Sequence, residues 1–154
     1  MNHSFITTIS YNQIVVFDTS LKRPFNDWTK QHVHQGFSMR KWSIWFGTTI
    51  DWWSCELNIK INKPYVLNPS STDAILVPFY TDSWKIGVWW LFDFQIFEII
   101  PWEYELFYEV GMKNSDEMFC NIYFNKKDST EAKIIKLQPQ YTTVYPLLLD
   151  ADPA

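Results

Sequence analysis

Two stretches of this sequence alternate with a period of two, and this pattern restricts the fold more than any other feature. The first stretch runs from Trp52 to Ile61 and places these residues on one face: Trp53, Cys55, Leu57, Ile59 and Ile61. The second places Tyr104, Leu106, Tyr108 and Val110 on one face and Glu103, Glu105, Phe107 and Glu109 on the other. Successive side chains of a β-strand point to opposite faces. Each stretch is therefore predicted to be a strand with one buried and one solvated face.

Further strands are predicted where β-branched and aromatic residues cluster between turns: residues 10–18, 42–46, 75–79, 84–97, 117–124, 133–137 and 141–145. Pro78 indicates an edge or a bulge, and the weak alternation of 84–97 indicates burial on both faces. About seven to nine strands with one helix predict an all-β fold, an antiparallel β-sandwich, in which residues 1–154 form a single domain. Residues 150–154 are predicted to be a frayed tail.

One short helix is predicted near residues 28–35, after the first of these strands. Asn26 or Asp27 is suited to cap the free N–H groups of its first turn. Gly36 is suited to end it, because glycine tolerates the left-handed conformation that many helix ends require.

Charge is distributed unevenly along the chain. Residues 1–64 carry seven Lys/Arg against four Asp/Glu (+3), and residues 65–154 carry six against thirteen (−7), which together give the net charge of −4. Nucleic acid is therefore a poor partner for the second part of the chain, and a basic protein suits it better. The chain has only 4 glycines, which argues against a glycine-rich phosphate loop.

No metal or cofactor is predicted. His32 and His34 lie about 200° apart on the predicted helix, so they cannot share a metal and are expected to be solvated. His3 is expected in a disordered terminus. Cys55 and Cys120 are either a cross-strand disulfide or two small core side chains, and a reducing compartment favours the core.

A cytoplasmic location is predicted from the lack of two kinds of segment. The N-terminus has no charged region leading into an apolar run, as a secretory signal would. The most apolar stretch, residues 86–100, is too short to span a bilayer and contains Asp93 and Glu98.

The sequence favours a binding protein over an enzyme. Glu103 and Glu105 are spaced about 7 Å apart on one strand face, which lies within the range of separations between the two carboxylates of glycosidases. A convex sheet face offers no cleft for a substrate, however, and no serine or threonine lies in a glycine elbow. An alternative function uses Trp52, whose strand face is otherwise polar, as part of a carbohydrate-binding β-sandwich module. The competing interpretation is that Trp52 packs under a loop.

The densest run of acidic residues suggests a partner-binding surface. Seven acids, with Lys113 as the single base among them, lie in the segment from Asp93 to Glu117: Asp93, Glu98, Glu103, Glu105, Glu109, Asp116 and Glu117. Phe107 shares a strand face with three of them, and an aromatic anchor ringed by charge is a common interface composition. The other interpretation is a solvated face that protects the sheet from aggregation.

Several short motifs resemble a known family. Residues 10–17 read S-Y-N-Q-I-V-V-F, followed by D-W-T at 27–29 and Q-G-F at 35–37, with weaker echoes in V-P-F at 77–79 and P-W-E-Y-E-L at 101–106. This pattern resembles the start of the competence protein J (ComJ) family, whose bacterial members inhibit a DNA-entry nuclease. The Trp-rich run from Trp42 to Trp53 departs from the family pattern, as do extra residues after about 128.

The resemblance implies a protein inhibitor of a nuclease, or a related immunity-type protein that neutralises one. Composition independently suggests how such a protein would act. A nuclease attracts DNA with basic residues, and an inhibitor can occupy that site by presenting carboxylates where phosphates would lie. The expected partner is therefore a basic nuclease, contacted directly and without nucleic acid.

Overall fold

The computed structural model describes residues 2–9, 13–48, 53–90 and 93–154, which form two β-sheets and one short helix. In chain order the elements are β1 Asn2–Ile9, β2 Gln13–Asp18, α1 Lys30–Gln35, β3 Phe37–Arg40, β4 Ser43–Gly47, β5 Trp53–Ile61, β6 Ser71–Thr81, β7 Lys85–Trp90, β8 Asp93–Glu98, β9 Trp102–Met112, β10 Glu117–Lys126 and β11 Lys133–Lys136. The six-stranded sheet has the order β1-β5-β10-β9-β6-β11, and the five-stranded sheet has the order β3-β4-β2-β7-β8. Among the described strands, β5 and β10 are the one parallel pair. The prediction of an all-β fold is confirmed.

The hydrophobic core lies between the two sheets. The inward face of β5 contributes Leu57 and Ile59, and that of β9 contributes Tyr108. From the other sheet, Phe46 stacks on Tyr108 with ring centroids 4.1 Å apart and an interplanar angle of 7°. The period-two pattern therefore identified the buried face of both strands correctly.

Both cysteines belong to this core. Cys55 and Cys120 are fully buried free thiols, which confirms the core interpretation over the disulfide. Burial raises the pKa of Cys55 to about 12 and that of Cys120 well above its usual value, because a thiolate would be poorly solvated there.

Helix α1 begins two residues later than predicted. Thr29 is its N-cap, with a side chain that accepts a hydrogen bond from the backbone N–H of His32. Gly36 ends the helix as expected, with φ of 86°. Asn26 is not the cap, because its side-chain amide donates to the carbonyls of Ser38 and Ser43 at 3.0 and 3.2 Å.

Several strands differ from the prediction. β1 lies where a disordered terminus was expected, since its backbone pairs with β5, and β3 was not anticipated. Residues 141–145 form no strand. Burial on both faces is wrong for β8, a sheet edge on which Phe94 and Ile96 are 52% and 50% exposed. The edge predicted from Pro78 is not found, because β6 lies between β9 and β11, although Pro78 itself lies beyond the β6 residues that β11 pairs with.

The expectation of a frayed tail is also wrong. Ala151 N–H donates to the carbonyl of Met39 at 2.7 Å, and Ala154 N–H donates to the carbonyl of Phe25 at 3.0 Å. Asn26 and Pro153 form a β-bridge. The tail stays ordered because these bonds satisfy the backbone of neighbouring segments, including the outer edge of β3.

The strands run between two ends of the sandwich, which we name by their connections. The β8–β9 end carries the segments at 41–42, 62–64, 82–84, 99–101 and 127–128, and the β9–β10 end carries 68–70 and 113–116. No helix among the described residues is long and apolar enough to cross a membrane.

Candidate functional site

The predicted acidic row of β9 does lie on one face of the sheet. Phe107 belongs to a small cluster with Ala74, Leu76 and Tyr123, separate from the main core. The register was therefore correct, and this face is the outer face of the six-stranded sheet. Three of the four residues of the row are buried, however, and only Glu103 is partly exposed.

Phe107 is not an exposed anchor, and that prediction is wrong. Its side chain is fully buried beneath Tyr65, whose ring lies 4.2 Å away, centroid to centroid, at an interplanar angle of 8°. Tyr65 comes from residues 62–70, which follow β5 and fold back over the outer face. Strand alternation shows which face a side chain occupies, but it does not show what covers that face.

Glu109 is also fully buried and is not available to a partner. Its Oε2 accepts hydrogen bonds from Asn68 N–H at 2.9 Å and from Ser71 Oγ–H at 2.6 Å. Its Oε1 accepts one from Asn121 Nδ2 at 2.8 Å. The carboxylate therefore holds the end of the covering segment against the sheet.

Glu105 is only 8% exposed and is paired with Lys127, whose Nζ lies 2.6 Å from its Oε2. This hydrogen bond and the carboxylate charge raise the pKa of Lys127. Of the acidic row on β9, Glu103 is the most exposed carboxylate.

The remaining predicted acids lie at opposite ends of the sandwich. Glu98 and Glu103 are at the β8–β9 end, and Asp116 and Glu117 are at the β9–β10 end. Strand β9 separates the two groups by about 30 Å. The backbone of Asp93 begins β8 at the β9–β10 end. The seven acids therefore do not form one patch, contrary to the expectation from their closeness in sequence.

At the β9–β10 end, two carboxylates share one lysine. Lys113 Nζ contacts Glu56 and lies 4.0 Å from Glu117. The hydrogen bond from Lys113 lowers the pKa of Glu56. Asp116 is exposed beside this group. The group is acidic, but its lysine already neutralises part of the charge.

At the β8–β9 end, three large apolar side chains are exposed: Trp84 by 65%, Ile100 by 48% and Trp102 by 49%. We call them the tryptophan surface. Ile99 N–H donates to the Trp84 carbonyl at 3.0 Å, and Trp102 pairs with Thr81 at the end of the β6–β9 ladder. Sequence reasoning missed this surface because the two tryptophans are 18 positions apart. The available signal was Trp102 itself, which is the first residue of the acidic strand β9.

A shallow open cleft of about 350 Å³ lies beside Trp102. Its charged lining consists of Asp82, Glu103 and Asp128 against Lys41. Tyr80 also lines the cleft, and burial together with the Glu103 carboxylate raises the pKa of its hydroxyl. Lys126 Nζ lies over the Trp102 ring, 5.3 Å from its centroid.

The loop that carries Trp84 is held by Asp18, a buried carboxylate at the end of β2. Its Oδ2 accepts hydrogen bonds from Thr81 Oγ1–H at 2.7 Å, Asp82 N–H at 2.8 Å and Ser83 N–H at 2.9 Å. Burial raises the pKa of Asp18, but these bonds and those from Ser20 outweigh it and hold that pKa well below its usual range. The loop is therefore fixed before any partner binds.

The two helix histidines play structural roles. His32 is buried, contrary to the expectation of a solvated residue, and its Nδ1 accepts a hydrogen bond from Thr29 N–H at 2.9 Å. Burial lowers the pKa of His32. His34 Nδ1 accepts one from Thr142 N–H at 3.2 Å. Within the described ranges, no three His, Cys, Asp or Glu side chains form a group that could hold a metal ion.

The tryptophan proposed for sugar binding, Trp52, lies outside the described residues. Another aromatic group lies on the outer face of the five-stranded sheet. There Trp89 contacts Phe25 at 5.4 Å and 70°, and Trp45 at 6.2 Å and 79°, between ring centroids and planes. These rings meet edge to face and do not form a flat platform on which a sugar ring could stack.

Comparison with known proteins finds two solved structures that are similar to this chain and one matching family. A crystal structure of ComJ from Bacillus subtilis, described as an inhibitor of the DNA degrading activity of NucA, is similar, with a TM-score of 0.66 and 20% identity over 80% of this chain and 98% of that chain. A structure described as crocagin biosynthetic gene J matches with a TM-score of 0.49 and 12% identity over 80% of this chain and 96% of that chain. Among curated proteins, none matches significantly. The sequence model of Competence protein J (ComJ) matches residues 6–136, and the chain therefore belongs to that family.

Proposed function

We propose that this chain is a protein inhibitor of a nuclease and not itself an enzyme. The observation that carries the proposal is the family match over residues 6–136. The similar Bacillus subtilis protein is described as an inhibitor of the DNA degrading activity of NucA, and it shares the fold. We also propose a cytoplasmic location, as the sequence predicts.

The proposed mechanism is that surface carboxylates occupy the basic site where the nuclease binds DNA phosphates. Support comes from the acids that remain at least partly exposed, which form two alternative contact regions: Glu98 with Glu103 at the β8–β9 end, or Asp116 with Glu117 at the β9–β10 end. Asp93 adds to the negative field, and Glu105 contributes at the margin because Lys127 already pairs with it. Phe107 and Glu109 support the sheet beneath and do not touch the partner.

The test uses the purified chain and the purified product of the adjacent gene, which is first assayed for DNA degradation. We expect the two proteins to co-elute. The rate of DNA degradation should fall in proportion to the amount of chain added and reach zero near one equivalent. Heat-unfolded chain at the same concentration is the control, because it keeps the charge and loses the surface. Undiminished degradation at a large excess of folded chain, without co-elution, would overturn the proposal.

A further inference from the structure

We propose that the partner docks at the β8–β9 end, with Trp84, Ile100 and Trp102 as the apolar centre and a basic side chain of the partner in the cleft beside Trp102. This inference rests on the proposed nuclease inhibition and names its contact surface. Four features of the structure support it: the exposure of the tryptophans, the rigidity of the segments that carry them, the negative charge of the cleft, and the lysine that already lies over Trp102.

The tryptophan surface is both exposed and rigid. Trp84 and Trp102 expose 65% and 49% of their surface. Tryptophan is among the residues most enriched at energetic hot spots of protein interfaces. The Asp18 carboxylate fixes the loop before Trp84, and Trp102 begins β9, so neither side chain requires loop ordering on binding.

The charge of the cleft selects a cation. Asp82, Glu103 and Asp128 face Lys41, which leaves two carboxylates in excess. Two other lysines nearby are already engaged, since Lys127 pairs with Glu105 and Lys126 lies over Trp102. An arginine from the partner can bind a carboxylate with two parallel hydrogen bonds and lie flat against an aromatic ring.

The position of Lys126 shows what the Trp102 ring accepts. Its ammonium lies 5.3 Å from the ring centroid, within the range of a cation–π contact. Lys126 is exposed and can move aside when an arginine of the partner takes this position. The Trp102 ring and the cleft carboxylates therefore both favour a cationic side chain, and the ring also favours one with a planar or apolar part next to its charge.

Other occupants fit this surface less well. A nucleic acid would bring phosphates against Asp82, Glu103 and Asp128, which is repulsive. A second copy related by a two-fold axis would bring the same carboxylates together. At the β9–β10 end, Lys113 binds Glu56 and lies 4.0 Å from Glu117, so the carboxylates of that end already have a cation, whereas Lys126 at the proposed surface lies over a ring and not on a cleft carboxylate.

The experiment compares two matched sets of variants in the full chain. Trp84→Ala, Trp102→Ala and Glu103→Gln alter the proposed surface, and Asp116→Asn and Glu117→Gln alter the opposite end. We measure the inhibition constant against the nuclease, the Kd by calorimetry and the Tm. We expect each tryptophan change to weaken binding at least about thirtyfold and Glu103→Gln about tenfold. The two controls should stay within about twofold, and the Tm should be unchanged.

The possible results separate the two proposals. If the wild-type chain neither binds nor inhibits the nuclease, the proposed function is wrong. If it inhibits, and the Trp84, Trp102 and Glu103 variants inhibit equally well, the docking surface is wrong. Loss of inhibition in the Asp116 or Glu117 variants alone would also overturn it and would place the contact at the β9–β10 end. If Trp102→Ala lowers the Tm, Trp84→Ala and Glu103→Gln decide the outcome.

Discussion

Tyr65 stacks on Phe107 with ring centroids 4.2 Å apart, and this contact removes the only aromatic residue of the acidic row from the surface. Tyr65 and Tyr123 also meet edge to face, with centroids 6.4 Å apart. The outer face of the six-stranded sheet is therefore partly a second small core. It supports the sheet, and the predicted acids that remain at least partly exposed, Glu98, Glu103, Asp116 and Glu117, lie at the ends of the sandwich.

Replacing Phe107 by alanine should destabilise the protein. Its ring is fully buried, and loss of a buried phenylalanine typically costs about 3–5 kcal/mol. Urea denaturation followed by fluorescence measures the change. Val66→Ala is the control, because Val66 lies in the same covering segment and is 76% exposed. An unchanged unfolding midpoint for Phe107→Ala would show that Tyr65 does not cover this site in solution.

Glu109→Ala should loosen the same covering segment. The change leaves Asn68 N–H, Ser71 Oγ–H and Asn121 Nδ2 without their acceptor. The expected cost is about 1–3 kcal/mol in unfolding free energy, with faster hydrogen exchange at the Asn68 amide. Glu98→Ala, at an exposed carboxylate, should change neither quantity. Equal stability of the two variants would contradict a supporting role for Glu109.

Ionisation of the buried Asp73 should lower the free energy of unfolding as the pH rises from about 4 to about 6. Burial raises the pKa of Asp73 from 3.8 to about 6, although Gln138 N–H and Lys136 oppose the change. Between these values the folded state binds more protons than the unfolded state, so rising pH favours unfolding. The penalty is absent below the unfolded pKa and complete above the folded one.

The asparagine variant isolates this effect. Asp73→Asn cannot ionise, and it keeps an oxygen that can accept from Gln138 N–H. Unfolding free energies of both proteins, measured from pH 3.5 to pH 7.5, should differ progressively in favour of the variant as the pH rises. A difference that is constant with pH would mean that Asp73 titrates normally.

Both thiols should be unreactive in the native protein. Cys55 and Cys120 are fully buried, and burial raises the pKa of each thiol, so little thiolate exists at neutral pH. Labelling with a thiol reagent should proceed only after denaturant is added, and then at both sites. Rapid labelling without denaturant would contradict the core placement.

Association with the nuclease should slow as salt rises. Exposed carboxylates mainly accelerate the encounter with a basic partner, and salt screens that attraction. The association rate constant should fall about tenfold or more between low and high salt, while the dissociation rate changes far less. Stopped-flow mixing measures both. A salt-independent association rate would argue against the acidic mechanism.

The sequence alone determined the local features of this protein. Alternation at 52–61 and 103–110 identified the inner and outer faces of β5 and β9, and Gly36 marked the helix end. These properties depend on neighbouring residues, because strand pleating and helix capping are short-range effects. The motifs at 10–17 and 27–37 likewise indicated the family that the sequence comparison confirms.

The tertiary structure alone decided which outer residues are accessible. Tyr65 lies 42 positions before Phe107, and the partners of Glu109 come from two other segments, so alternation within β9 could not reveal them. Trp84 and Trp102 reach the same end of the sandwich only through the β6–β9 ladder and the hydrogen bond from Ile99 N–H to the Trp84 carbonyl. Such long-range pairing depends on how the whole chain packs, whereas periodicity reports only on adjacent residues.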